Sequence, residues 1–510
     1  LYVTGSLYCD VNCGPEPHTN KAAVVTVASG ATLAMDDWSW GGGLGELYFD
    51  NDQLIIDGGT LKYTGSGAGS GEMYRGFTVT ANGATFESVN AGELWDLKRH
   101  ANNNAGYHPI WHGSVVFTGD GDFTTDQLIS GAVTVTKSGN GTLTLANAAN
   151  TYNGGTVVTA GELIAAGSGD VLGSGSVTLH DGSTLSATHP SGWAVGLGNN
   201  IVLASGTATL HVPFSGRTDL VLNGAITGAG GLALTGDTNS RWVQFSGNNT
   251  FTGGVRLGTS STRPRIRINS NMALGTGVLA IDYGASDAQQ ISFDGNYTLG
   301  NDIDVVNNAQ LTIDSESNNV TLGGNISAGA VSLRKLGTGV LTLTANTTYT
   351  GATTISSGSL VLSNNAPSTM SSGFGGAGQL RIEPMGADFT SAFNPSAAGF
   401  VFDSTLGGLT IGKANAADGA SDVDVTIGSA VSIAGPITVY GGNIAFNAAL
   451  TATNNTISLD ASGNVTDDAS GYVVADGLAL LGGKVNLDST SNNVVTIAAS
   501  GVGSLSYLDS

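Results

Sequence analysis

Apolar and polar residues alternate in short runs along nearly the whole chain. Gly141-Thr142-Leu143-Thr144-Leu145, Ser176-Val177-Thr178-Leu179 and Ala309-Gln310-Leu311-Thr312-Ile313 each place a Leu, Val or Ile at every second position. A period of two puts those side chains on one face of a strand and Thr, Ser or Gln on the other. Gly, Asn, Asp and Ser separate the runs and supply the turns. No amphipathic helix of about ten residues or more is visible, and the Ala-rich stretch 415–421 is broken by Gly419. The pattern predicts an all-β chain of many short strands.

The runs recur at a fixed scale. Gly-led runs begin at Gly141, Gly161, Gly182 and Gly206, again at Gly231, Gly254 and Gly277, and again at Gly339, Gly358 and Gly378. Steps of ~20–25 residues match one coil of a parallel β-helix, whose apolar face is buried only when coils stack. A longer period lies on top. Tyr152-Asn153-Gly154-Gly155 returns as Phe251-Thr252-Gly253-Gly254 and as Tyr349-Thr350-Gly351-Ala352, and Leu172-Gly173-Ser174-Gly175 returns as Leu274-Gly275-Thr276-Gly277. Blocks of about a hundred residues, each several coils long, therefore repeat. Three segments are expected: a β-rich N-terminal part or cap over 1–130, a β-helix of repeated blocks over 131–398, and a β-helix of different texture over 399–510. In the last, aromatics thin out and Asn-Asn and Asp-Gly turns take over. Its tail Tyr507-Leu508-Asp509-Ser510 echoes Val401-Phe402-Asp403-Ser404, which suggests that a further unit follows.

The blocks resemble the autotransporter-associated β-strand repeat, roughly K-x-G-x-G-T-L-T-L, then N-T-Y-T-G-G-T, then G-x-L. The matching residues are Lys137-Ser138-Gly139-Asn140-Gly141-Thr142-Leu143-Thr144-Leu145, Asn150-Thr151-Tyr152-Asn153-Gly154-Gly155-Thr156 and Gly161-Glu162-Leu163. The fullest copy runs from Lys335-Leu336-Gly337-Thr338-Gly339 through Tyr349 to Gly358-Ser359-Leu360. In the middle copy Phe251 replaces Tyr, and Arg241-Trp242-Val243 reads as an insertion. The part from Gly408 onward is similar to repeats of giant filamentous-haemagglutinin-like bacterial exoproteins. The resemblance implies a right-handed parallel β-helix, elongated, with an irregular aromatic-rich N-terminal part. It also implies a secreted surface protein of a Gram-negative bacterium, an adhesin or fibre subunit without an active site.

Composition sharpens this picture. Of 510 residues 78 are Gly, roughly twice the ordinary share. Charged residues make up only 11 %. Stacked coils align like with like, so repeated charges would repel. A net charge of −22 disfavours nucleic acid and anionic membranes as partners. No run reaches the ~18 apolar residues of a membrane span, so this segment is not expected to be membrane-embedded.

The remaining chemistry is sparse. Cys9 and Cys13 share one loop, with no second pair to complete a zinc site. They form a local disulfide in an oxidising compartment and two free thiols otherwise. Acids gather at Asp36-Asp37, at Asp50 with Asp52, and at Asp120 with Asp122 and Asp126. They read as solvated turn carboxylates, not as an acid–base pair. The glycine run Gly41–Glu46 only faintly echoes a calcium repeat. His100, His108 and His112 lie close in sequence, but Pro109 argues against the helix that would align them. No cofactor or metal is expected. Trp38, Trp40, Trp95 and Trp111, with Tyr48, Tyr63 and Tyr74, read as packing in an end segment. One basic strip interrupts the acidic field. Arg263, Arg265 and Arg267 alternate with Pro264 and Ile266 and so share one strand face. The strip is a candidate contact for an anionic partner, or else pairs with acids on adjacent coils. The expected partners are a second copy of the chain, or a surface glycan or protein receptor. The alternative function is a polysaccharide-binding or polysaccharide-cleaving β-helix.

Overall fold

A computed structural model describes residues 24–36, 54–65, 71–73, 76–97, 109–167, 169–189, 194–213, 219–236, 241–257, 265–282, 289–306, 310–329, 331–345, 347, 349–364, 373–414 and 423–509. They form strands joined by turns, with no helix among them. The Cys9–Cys13 loop lies outside the described residues, and so does the Ala-rich stretch 415–421. The chain divides into two compact units. One holds residues 1–264 and 272–277, the other 265–271 and 278–510.

In the first unit one sheet stacks nine strands from Thr32–Met35 to Ile226–Gly228. A second begins at Gly71–Met73 and continues through Thr142–Leu145 and Glu162–Ala166 to Val255–Leu257. All paired strands are parallel, so each partner lies one coil further along the chain. Phe123 pairs with Leu143, Leu143 with Leu163, and Leu163 with Leu185. These steps of about 20 residues are the coil period expected of a parallel β-helix. The stretch Arg241-Trp242-Val243 is an insertion relative to the copy at 137–163, yet it is built into the ladder. It opens the strand Trp242–Phe245, which pairs in register with Leu220–Leu222. Alternation survived there under bulkier side chains: Val243 and Phe245 are buried, whereas Trp242 and Gln244 are half-exposed.

The core is a set of columns, each built from one inward position repeated coil after coil. Leu61, Phe86, Phe117, Lys137, Val158, Leu179 and Leu203 make one such column. Trp95, Phe123, Leu143, Leu163, Leu185 and Leu210 make another. Each fully buried Leu contributes ~1.5–3 kcal/mol of apolar transfer. The second unit follows the same plan. Ile291, Ile313, Lys335 and Ile355 are register partners in one sheet. Leu341, Leu360, Leu380, Leu409, Ile437 and Ile457 are partners in another. Two of these otherwise apolar columns contain a lysine.

Candidate functional site

Lys137 ends the strand Val135–Lys137 at an inward position and is 1 % exposed. Its stem fills the place that Phe117 and Val158 fill on the neighbouring coils. Its Nζ then donates to the carbonyls of Ser138 and Gly139 in its own turn, both at 2.8 Å, and to Ala160 of the following coil at 3.3 Å. Lys335, fully buried, repeats the arrangement. It donates to Leu336 at 2.7 Å, Gly337 at 2.8 Å and Ser357 at 3.3 Å. The cradle needs a close glycine. Gly161 has φ +68°, and a Cβ there would lie 2.6 Å from the Lys137 Nζ.

Burial lowers both lysines to about 8, against an opposing pull from Asp122 on Lys137 and from Asp314 on Lys335. An unfolded chain therefore binds more protons than the folded one between pH ~8 and ~10.5, so stability rises with pH across that window. Lysine Cε chemical shifts followed by NMR should show both midpoints near pH 8, and unfolding free energies should increase above it.

A buried tyrosine accompanies each lysine. The Tyr152 hydroxyl lies 2.7 Å from Thr156 Oγ1, and the Tyr349 hydroxyl 2.8 Å from Thr353 Oγ1. Burial raises both phenols far above their ordinary range. In the middle copy Phe251 takes the same buried place. There Val255 stands in the place of the threonine, so both partners of the hydrogen bond are replaced together. Tyr349→Phe instead leaves the buried Thr353 Oγ1 unpaired and should cost ~1–3 kcal/mol, as read by urea unfolding. Asn150 bridges coils instead. Its Oδ1 accepts from Ile129 N at 2.9 Å and its Nδ2 donates to Val171 O at 2.8 Å. Asn249 makes the same bridge between Ile226 N and Ala273 O.

The acids act as latches between coils. Asp122 Oδ1 accepts from Thr142 N at 2.8 Å, and Asp120 Oδ1 from Asn140 Nδ2 at 2.7 Å. Asp181, Asp302 and Asp424 likewise accept a backbone N–H from the next coil, each at 2.8 Å. Hydrogen bonds from Thr80 and Asn82 hold the Asp57 carboxyl below its usual range. Asp37, Asp50, Asp52, His100, His108 and the glycine run Gly41–Glu46 lie outside the described residues. Among the described residues no group of three or more His, Cys, Asp or Glu is placed to hold a metal. A cleft of about 230 Å³ lies between residues 395–402 and 427–431, and no lining residue titrates.

Apart from the half-exposed Trp242, the described aromatics of the first unit pack inward. Trp95 lies against Tyr63, Phe86 and Phe123 at ring separations of 6.0, 5.9 and 5.6 Å. Trp111 meets Phe77 edge-on at 5.2 Å and donates its Nε1–H to Leu128 O. Trp38, Trp40, Tyr48 and Tyr74 lie outside the described residues. Arg265 and Arg267 share the outward face of Arg265–Ile268. Arg267 donates to Glu316 Oε1 at 2.7 Å, so that its charge is answered within the chain. Arg263 lies outside the described residues. The repeat pattern alone assigns the two lysines no role. Their signal was a lone cation at an inward position of an alternating run.

Both segments built around a buried lysine, 135–165 and 333–362, match the family model of the passenger-associated-transport-repeat. Two segments of the chain are thus similar to this repeat. The matched segments are those that carry Lys137 and Lys335, and they coincide with two of the copies that the sequence resemblance rests on. The chain is also 28 % identical over 346 residues to the adhesin BmaC autotransporter of Brucella suis biovar 1 (strain 1330). That match covers 64 % of this chain and spans 8 % of the length of the adhesin. No solved structure matches. Among the described residues no helix is long and apolar enough to cross a membrane.

Proposed function

We propose that the chain is part of a non-enzymatic, secreted surface protein of a Gram-negative bacterium, acting as an adhesin or structural fibre subunit. The observation that carries this reading is its similarity to an adhesin autotransporter over 64 % of its residues. The fate of the acids supports it. Asp120 and Asp122, acids that a polysaccharide-cleaving reading would have to draw on, are engaged in holding Asn140 and the Thr142 backbone. On this reading the outward faces of the coils make the contacts, either with a second copy or with a surface glycan or protein receptor. On the same reading Arg263, Arg265 and Arg267 are the candidate contact for an anionic partner. In an oxidising compartment Cys9 and Cys13 close a local disulfide.

The test is adherence. Beads coated with the purified chain should bind cultured cells, immobilised glycans or one another, and Arg265→Ala should weaken binding to acidic glycans alone. Inert beads, together with depolymerisation of a polysaccharide by the soluble chain, would refute the adhesin reading and establish the polysaccharide-cleaving one.

A further inference from the structure

The alternation of Leu and Thr fixes which face of a strand is buried, but not which residues pair. Sliding Thr142–Leu145 by two residues along Glu162–Ala166 keeps Leu143 and Leu145 inside and both Thr outside. A one-residue slip flips every side chain and is strongly penalised, whereas a two-residue slip leaves the polarity pattern intact. A low-complexity solenoid therefore needs something else to define its register.

We propose that Lys137 and Lys335 are register keys, positioning residues whose ammonium groups fit the carbonyls of two successive turns in one strand alignment only. The Nζ of Lys137 bonds Ser138 and Gly139 in its own turn and Ala160, 23 residues on, just before the strand Glu162–Ala166. Lys335 bonds Leu336 and Gly337, and then Ser357, 22 residues on, just before Ser359–Ser363. A slide of two residues displaces the following turn by ~6.6 Å, well beyond hydrogen-bond reach. The cation would then stay in the apolar column short of an acceptor, which is far costlier than losing a surface contact. The one acid drawn to each lysine, Asp122 or Asp314, lies on a preceding strand and does not hold the following coil. The key thus acts by penalising wrong alignments, a role for which buried polar groups are well suited.

Disulfide trapping reads the register directly, because a disulfide needs Cβ atoms ~3.5–4.5 Å apart. In a chain with Cys9→Ser and Cys13→Ser, the in-register pair Thr144→Cys with Ile164→Cys should cross-link. The pair Thr142→Cys with Ile164→Cys, offset by two, should not. Adding Lys137→Met keeps the apolar stem and removes the ammonium. The offset cross-link should then rise about tenfold, the factor set by ~1.4 kcal/mol of lost discrimination. The same comparison around Lys335→Met uses Val340→Cys with Ser359→Cys against Thr342→Cys with Ser359→Cys. If both Met variants keep only the in-register cross-link, the proposal fails. It fails also if neither variant folds and no cross-link forms in either alignment, since the lysines are then general stabilisers.

Discussion

Replacing Trp95 with Ala is expected to lower the unfolding free energy by about 3–5 kcal/mol, with the loss concentrated in the coils around residues 63–123. The side chain is fully buried and touches Tyr63, Phe86 and Phe123 on three different strands. Each coil contributes only a few inward residues, so a hole of this size has no neighbour long enough to fill it. Hydrogen exchange resolved along the chain is the suitable measurement, because a repeat architecture opens locally before it unfolds globally. Protection should fall at Ala84–Ser88 and Asp122–Thr125 and stay unchanged at Ser359–Ser363. A uniform loss across both units would contradict the nearest-neighbour picture.

Lys335→Ala is expected to cost about 2–4 kcal/mol. The larger share comes from the stem, which occupies a core column between Ile313 and Ile355. The smaller share comes from the carbonyls. Leu336 O still accepts from Ser315 N, and Gly337 O from Ser357 Oγ, so the Ser357 carbonyl loses most. Lys335→Met should recover the stem contribution and sit within ~1–2 kcal/mol of the natural protein. Urea unfolding of the two variants side by side separates these contributions. Equal losses would mean that the ammonium, not the stem, carries the stability.

Much of this architecture is legible in the alternation itself. The coils at Gly141, Gly161 and Gly182 were visible because each Gly precedes a run such as Thr142–Leu145 whose inward Leu residues recur at the coil period. Where the Arg241–Val243 insertion pairs was not legible, because bulky residues break the Thr/Leu texture even though they keep the period of two on which burial depends. The latches were half-legible. Asp120 and Asp122 could be recognised as turn residues, but which backbone N–H each accepts depends on a coil 20 residues away. The lysines were hidden for a related reason. Composition places Lys on surfaces, and only the inward parity of positions 137 and 335 contradicts that. Phe251 shows why the tyrosine is the less stringent member of the motif, since its ring is buried as fully without a hydroxyl.

The parallel ladders also set how each unit responds to force. Bonds between coils run along the stacking direction, so tension along that direction loads them one coil at a time instead of shearing many together. Each released coil of ~20 residues would give up about 60–70 Å of extended chain. A tethered protein built this way yields in regular steps under flow and absorbs work at each. The coils clamped by Lys137 and Lys335 are the steps expected to resist longest.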